Sequence, residues 1–310
     1  MKILVSGGAG FIGSHIVDAL IKQRHEVVVI DNLATGFLEN INPGAKFYEM
    51  SICDTELVNV FKQERPEIVI HHAAQISVIR SVADPILNAQ ENILGSLNII
   101  LNCSHFKVSK IIYASSAAIY GEPQYLPVNE DHPINPISPY GISKHTVEHY
   151  LHLYHLQHGL NYTVLRYPNV YGSRQNPNSE GGVVAIFAKQ MLRDKQPTIF
   201  GSGDKTRDYI YISDVVNANL LAIQQGNNGI YNVSTGMETS DQKMFNTLAT
   251  LLQFNKEPLY SSVRIGEIHR ICLDATEIMR ELNWKPQFKL EDGLRHTIDY
   301  YRNNFGITGN

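Results

Sequence analysis

The chain has 310 residues, 43% hydrophobic and 18% charged, with a formal net charge of −4 at pH 7. This is an ordinary globular balance, ample for one large or two interlocked domains, and too acidic to suit a nucleic-acid binder. No apolar run approaches the ~20 residues of a membrane span, and three scattered cysteines (Cys53, Cys103, Cys272) give neither metal spacing nor a disulfide framework, so a cytoplasmic protein is expected.

The opening MKILVSGGAGFIG starts with a lysine and apolar residues, as a signal peptide does, but glycines interrupt it and no cleavage-like segment follows. Ile3–Ser6 reads instead as a first buried strand. Next come Gly7-Gly-Ala-Gly10-Phe-Ile-Gly13 and a helix over Phe11–Lys22. A glycine-rich turn between strand and helix lets the backbone approach a pyrophosphate, which the unpaired N–H groups of the helix start can bind. Two frames fit: Gly8/Gly10/Gly13 as GxGxxG, and Gly7/Gly10/Gly13 as GxxGxxG. The strand Val27–Asp31 then ends on a carboxylate, at the distance where it holds the diol of an adenosine ribose. A carboxylate there repels a 2′-phosphate, and no Arg follows immediately in DNLATG, so NAD is favoured over NADP.

Further along, Ile68–His72, Ile111–Ser115 and Tyr162–Tyr167 read as buried strands between helices over Thr55–Glu64, Pro85–Cys103 and Tyr140–His158. Continuous apolar strands separated by helices predict a parallel sheet covered on both faces, an α/β fold of the doubly wound, Rossmann type. In SPYGISK, Ser138 is a helix N-cap and Pro139 the first helical residue, which sets Tyr140 and Lys144 side by side on one face. A phenol loses its proton near pH ~10, and a cation beside it favours the phenolate. After Pro168 the pattern changes to longer loops such as GSRQNPNSEGG. Short strands (YIYISD, IYNVST) and helices around Asp214–Gln225, Ser240–Leu252 and Leu290–Arg302 follow. Residues 1–168 are expected to form the dinucleotide-binding domain, with 209–235 returning to it, and 169–310 a smaller interlaced substrate lobe.

Taken in order, Gly7/Gly10/Gly13, Asp31, HHAAQ, SSAAIYG and the Tyr140/Lys144 pair resemble the extended short-chain dehydrogenase/reductases. Within them the chain is most similar to the NAD-dependent nucleotide-sugar epimerases of the UDP-glucose 4-epimerase type. The likeness runs nearly end to end, to the closing ELNWKPQFKLEDGLRHTIDYY. It implies a Rossmann-type domain with a C-terminal α/β lobe, and a homodimer joined through the helices at Pro85–Cys103 and Tyr140–His158. It also implies a catalytic set: Tyr140 as acid/base, Lys144 tuning the phenol and binding the nicotinamide ribose, and Ser116 hydrogen-bonding the reacting oxygen. The implied reaction is 4-epimerisation of a UDP-hexose through a transient 4-keto intermediate, interconverting UDP-glucose and UDP-galactose. Related 4,6-dehydratases carry an acidic pair just after the serine, and related decarboxylases tend to carry an acid. Here Ala117 and Ala118 can neither give nor take a proton. UDP-N-acetylglucosamine and UDP-glucuronate stand as alternative substrates, and a net dehydratase or oxidoreductase reaction as a more distant reading.

The same resemblance assigns cofactor contacts to Gly7, Gly10, Phe11, Ile12 and Gly13, to Asp31, Asn32, Leu33, Thr35 and Gly36, and to Ser51 and Ile52. It adds His72, Ala73, Ala74 and Gln75, then Asn92, Ser115, Tyr140, Lys144, Tyr167 and Val170. Substrate contacts fall on Ser77, Ser116, Ala117, Tyr140 and Val183, with Asn169 at the diphosphate and Thr198-Ile199-Phe200 along the uracil. Arg207 and Arg264 are placed on phosphate oxygens, where guanidinium geometry suits, and Glu267 on the uridine ribose. The position that limits sugar size falls near Ile271, neither a bulky Tyr nor a small Ser or Cys. Three positions depart from the family's habit: Ser51 stands where an Asp commonly touches adenine, and Ser6 and Ser173 replace a frequent Thr and Pro. The Tyr140 helix also carries His145, His149, His152, His155 and His158, of which the first three share a face and invite a zinc reading. At roughly 100° per residue that face lies more than a quarter turn from Tyr140 and Lys144, so a solvated or dimer-facing stripe is expected, with no metal.

Overall fold

The computed structural model describes residues 1–178, 182–263 and 268–304. Strand β1 (Lys2–Ser6), helix α1 (Phe11–Lys22), β2 (Glu26–Asp31), β3 (Lys46–Glu49), α2 (Leu57–Glu64) and β4 (Ile68–His71) follow in order. Helices α3 (Val78–Ala83) and α4 (Pro85–Ala89) lead through a π turn at Gln90–Leu94 into α5 (Gly95–His105). Then come β5 (Lys110–Ser116), α6 (Pro139–His158) and β6 (Asn161–Tyr167). The second half contains β7 (Asn169–Tyr171), α7 (Val183–Leu192), β8 (Thr198–Phe200), β9 (Thr206–Tyr211), α8 (Ile212–Gln224) and β10 (Gly229–Asn232). It ends with β11 (Glu238–Ser240), α9 (Asp241–Leu252), β12 (Leu259–Ser261), α10 (Thr276–Leu282) and α11 (Leu290–Asn304).

Among the described residues, seven strands form one sheet in the order β10-β6-β5-β4-β1-β2-β3, every neighbouring pair parallel. The run 3-2-1-4-5-6 is that of a Rossmann-type sheet, with β10 added at the edge beside β6. Side chains alternate between its faces, so β1 sends Ile3 and Val5 to one core and Leu4 to the other. Ile3 and Val5 pack with Ile16, Val17 and Leu20 of α1 and with Val215, Ala218 and Ala222 of α8. Leu4 packs with Phe61 of α2, Ile99 of α5 and Leu151 of α6. Burial on both faces is why these strands are apolar without a break. A third core, around Tyr171, Phe187, Tyr209, Phe245 and Leu294, joins a three-stranded sheet (β11-β9-β7) to α7, α9 and α11. Among the described residues no helix is long and apolar enough to cross a membrane.

Where a single helix is expected over Pro85–Cys103, the chain instead widens into the π turn. Inside it the Asn92 amide donates to the Gln75 carbonyl at 3.0 Å and to Ser143 Oγ at 3.0 Å, while the Ser96 hydroxyl donates to the Asn92 carbonyl at 2.5 Å. Side-chain bonds compete there with the regular ladder, a recognised cause of helix distortion.

The far edge of the sheet is fastened by one buried carboxylate. Glu64, at the end of α2, accepts Lys46 Nζ and Tyr48 Oη, both at 2.5 Å, and Lys2 Nζ at 3.1 Å, tying α2 to β3 and β1. Burial alone would raise its pKa, but these three donors outweigh it and pull it from 4.5 to about 2. A depressed folded-state value stabilises the fold above the unfolded pKa and is lost as pH falls towards 2. Glu64→Gln is therefore expected to lower unfolding free energy at neutral pH by roughly 2 to 3 kcal/mol, a gap that narrows below about pH 4.5. Urea unfolding of both proteins at several pH values reads this directly; a gap independent of pH contradicts it.

Candidate active site

The C-terminal ends of β1, β2, β4, β5 and β6 open into one cavity of about 1160 Å³ that also reaches β7, α7, β8 and Arg207. Ligand sites in such sheets lie outside the carboxyl ends of the strands. Gly7, Gly10 and Gly13 line this cavity, whereas Gly8 packs against Val29 of β2, which selects the GxxGxxG frame. Position 13 has to be glycine: a Cβ there would stand 2.1 Å from the Gly7 carbonyl oxygen, so any side chain would push α1 off the loop. The start of α1, capped by Gly10 without a side-chain bond, points its free N–H groups at the cavity as a site for anionic oxygens. Asp31 accepts Ala9 N at 2.9 Å on one carboxylate oxygen and Leu33 N at 2.8 Å on the other. Each oxygen keeps a lone pair for a neighbouring diol.

Helix α6 begins as its sequence predicts, with Ser138 Oγ accepting Gly141 N at 3.1 Å and Pro139 in the first turn. A Cβ at Gly141 would meet the Ala118 carbonyl oxygen at 2.5 Å, so glycine alone lets this turn approach the one that follows β5. Tyr140 is thereby brought against Ser116, whose hydroxyl hydrogen-bonds the phenol. Lys144 is 4% exposed, and its ammonium donates to the Ala114 carbonyl at 2.9 Å while lying 5.9 Å from the Tyr140 ring centroid. Burial pushes the Lys144 pKa down to about 8, against the opposing charge of Glu148. The Tyr140 phenol sits in an enclosed setting. Its enclosure raises the pKa, and the Ser116 hydrogen bond only offsets part of this. With the Lys144 ammonium in place the phenol's pKa is still raised, so ionisation depends on further positive charge.

The other expected contacts divide as follows. Phe11, Ile12, Asn32, Thr35, Ser51, Ile52, His72, Ala73, Ala74, Gln75, Ser115, Tyr167 and Val170 all line the cavity, as do Ser77, Ala117, Asn169, Val183, Thr198, Ile199, Phe200 and Arg207. Leu33, Gly36 and Asn92 do not. Leu33 serves Asp31 through its backbone, Gly36 packs on Ala9, and Asn92 holds Gln75 in place by bonds at 2.7 and 3.0 Å. Arg264 and Glu267 lie outside the described residues. Sequence reasoning missed Arg80, Gln175, Gln190, Lys205 and Asp241, which also line the cavity. They come from loops and helix faces that carry no motif, though Ser77, three residues before Arg80, is a readable N-cap. On the histidine stripe, His145 and His149 approach each other at 2.9 Å and His145 faces Glu148 at 3.2 Å. Among the described residues no group of three or more His, Cys, Asp or Glu could hold a metal ion.

Residues 3–234 match the sequence profile of the NAD dependent epimerase/dehydratase family. The chain belongs to that family. It is 46% identical to a putative UDP-glucose 4-epimerase of Methanocaldococcus jannaschii, over 97% of this chain and 99% of that one. Its fold matches a UDP-glucose 4-epimerase of Thermotoga maritima, crystallised with UDP-glucose, with a TM-score of 0.97 and 47% identity over 98% of this chain and all of the other. A UDP-glucose 4-epimerase of Thermus thermophilus in complex with NAD gives 0.95 and 41% over the same shares.

NAD is the cofactor of the epimerase/dehydratase family, and the residues here fit it: a loop too tight for side chains, a helix start free for phosphate, and a carboxylate placed for a diol. Asp31→Asn keeps the shape of the turn but removes the charge that strengthens these bonds. It should weaken NAD binding about tenfold and narrow the preference for NAD over NADP. Calorimetric titration of both dinucleotides checks this, and an unaltered NAD affinity speaks against the placement.

Proposed function

We propose that the protein is an NAD-dependent 4-epimerase of UDP-hexoses, interconverting UDP-glucose and UDP-galactose, with Tyr140 as acid/base. The observation that carries this reading is the meeting of Ser116, Tyr140 and Lys144 on a wall with no carboxylic acid beside the serine. Ala117 and Ala118 follow the serine, and the cavity's carboxylates among the described residues are Asp31, Glu91 and Asp241. Asp31 is bound to the glycine loop, and Asp241 faces Lys205 at 3.7 Å, in the lobe beyond. When bound, NAD supplies the hydride acceptor and, while oxidised, a positive charge beside the phenol. Tyr140 takes the proton of the sugar 4-hydroxyl with Ser116 hydrogen-bonded to the same oxygen, and returns it after the 4-keto sugar has turned over. A wall unable to expel water or carbon dioxide leaves inversion as the productive outcome.

Asn169 and Arg207 are positioned to hold the diphosphate and Thr198, Ile199 and Phe200 the uracil, so that the nucleotide stays fixed while the sugar rotates. Lys144 would bind the nicotinamide ribose. Residues 1–168 with 209–235 form the dinucleotide domain in this reading, and 169–310 the substrate lobe. Ile271, buried in the cavity wall, leaves room between the extremes of size selection, and makes UDP-N-acetylglucosamine the second sugar to try. We also propose a homodimer through the helices at 85–105 and 139–158, which leave Ile86 (71%), Leu94 (59%), Ile142 (51%) and Leu156 (67%) exposed on a chain with otherwise ordinary polarity. Three free cysteines suit a reducing cytoplasm.

Purified protein with NAD is expected to turn UDP-galactose into UDP-glucose without accumulating NADH, and Tyr140→Phe to slow this by about 10²- to 10⁴-fold. Product chromatography over a panel of UDP-glucose, UDP-N-acetylglucosamine and UDP-glucuronate decides the sugar; no conversion of any of them rejects the reading. In sedimentation velocity the wild type should run as a dimer and Leu94→Glu as a folded monomer.

A further inference from the structure

The face of α6 that carries Tyr140 and Lys144 continues one turn further to Glu148, because residues four apart stack on a helix. Glu148 is a carboxylate only 4% exposed, and the chemistry above makes no use of it. Its Oε1 accepts the Ser115 hydroxyl at 2.6 Å and Arg166 Nε at 3.1 Å. Its Oε2 accepts Arg166 Nη2 at 2.7 Å and faces His145 Nδ1 at 3.2 Å. Arg166 Nη1 continues to Tyr120 Oη at 2.8 Å, which donates to Asn232 Oδ1 at 2.8 Å. Ser115 and Arg166 are cross-strand partners in the β5–β6 register.

The location of this node matters more than its strength. A buried ion pair adds little net stability, since desolvation of both charges cancels most of their attraction. Yet it sits between the two contacts that define the site. The residue before Ser115 offers its carbonyl to Lys144, and the residue after it is Ser116, bonded to Tyr140. Three consecutive residues of β5 thus engage three successive turns of α6 at Tyr140, Lys144 and Glu148. The charged and titratable groups around Glu148 are Arg166 from β6, with Lys144 and His145 from α6. Tyr113 and Ser115 of β5, Tyr120 beyond it and Tyr162 of β6 are the remaining groups that feel its charge or bond it. Glu148 is the anion that opposes the desolvation of Lys144.

We propose that Glu148 is a positioning residue for the acid–base pair: with Arg166 and Ser115 it locks α6 to the end of β5, and it supplies the negative charge behind the Lys144 ammonium. The inference rests on reading Tyr140 and Lys144 as the working pair, and deepens it.

Two variants test it. Glu148→Gln removes the charge, and Ser115→Ala breaks one bond to Glu148 without stranding a buried ion; the Ser115 hydroxyl is spent on that bond. In Glu148→Gln, kcat on UDP-galactose should fall about tenfold with KM within about twofold, the pattern of an interaction felt in the transition state. The alkaline limb of its kcat profile should move down by roughly half a pH unit or more, because a lysine without its anion deprotonates earlier. Ser115→Ala should lose about threefold in kcat, with the limb in place and Tm within about 2 °C. A reading that needs no turnover comes from proteins carrying ¹³C-lysine, the Lys144 resonance being assigned by its loss in Lys144→Met. The Lys144 titration midpoint should drop by roughly half a unit or more in Glu148→Gln. An unchanged or higher midpoint overturns the proposal. So does a normal kcat in Ser115→Ala if Glu148→Gln proves too unstable to fold. Should the wild type convert no UDP-sugar, the epimerase reading fails while the lysine titration still decides the part assigned to Glu148.

Discussion

The first turn of α6 lies against the turn that follows β5 so closely that a Cβ at position 141 would stand 2.5 Å from the Ala118 carbonyl oxygen. That approach brings a phenol, a hydroxyl and an ammonium from two separate elements into one wall. The Ser138 cap fixes where the helix starts, and Pro139 fixes its first backbone angle. The Ser81 hydroxyl accepts Tyr140 N at 3.2 Å and Asn88 donates to the Pro139 carbonyl at 3.1 Å, so α3 and α4 brace the same turn from the other side. The π turn belongs to this bracing. By widening the helix at Gln90–Leu94 it lets Asn92 reach both Gln75, in the cavity wall, and Ser143 on α6.

Holding Lys144 there is costly. Its pKa falls from 10.5 to about 8, which corresponds to roughly 3 kcal/mol against the charged form. The hydrogen bond to the Ala114 carbonyl returns at most about 1.5 to 3 kcal/mol on the scale of charge-assisted bonds. Such a margin is thin, and the fall would be larger still without the opposing charge of Glu148, which the value of about 8 already includes. Depth is useful here because a lysine in water would exert a screened, weak field on its neighbour, whereas in this wall the same charge acts at short range in a poorly polarisable medium. The structure therefore trades some stability for a stronger local field, as active sites commonly do.

The large sheet was legible because its strands are buried on both faces and leave unbroken apolar runs. The helix Phe11–Lys22 agrees with its expected limits to the residue, since the glycine loop and the turn after Lys22 bound it on both sides. Other features were hidden for physical reasons. The two glycine frames differ only in whether Gly7 or Gly8 faces the ligand, and packing of Gly8 on Val29 is a tertiary fact with no local signature. Helix α7, VVAIFAKQML, buries Val184, Ala185, Phe187, Ala188 and Met191, so little polar periodicity marks it out. Helix α3 has only six residues and leaves Ile79 and Val82 exposed. Among site residues, the motif-borne ones were found in the cavity wall. Asn92, which the resemblance places at the cofactor, lies behind the cavity wall and bonds Gln75 there; a motif match cannot distinguish a residue that lines a cavity from one that holds its neighbour.

The substrate end shows why an inversion needs a different wall from an elimination. A keto sugar that must present its opposite face needs space at the reacting end and a firm grip at the other. On the proposed reading the cavity offers both. Its inner wall, at Ser116, Ala117 and Ala118, is small and uncharged apart from Lys144, while its far end carries Arg207, fixed by its own bonds to the Thr206 carbonyl at 2.8 Å and the His269 carbonyl at 3.3 Å. Two methyl groups after Ser116 impose no preferred orientation on a rotating ring and offer it no proton. A carboxylate at either position would do both, holding the sugar through its hydroxyls and opening a path to the loss of a leaving group. The two alanines thus contribute by what they withhold: the same phenol and lysine, set against an acid, would be equipped for a dehydratase.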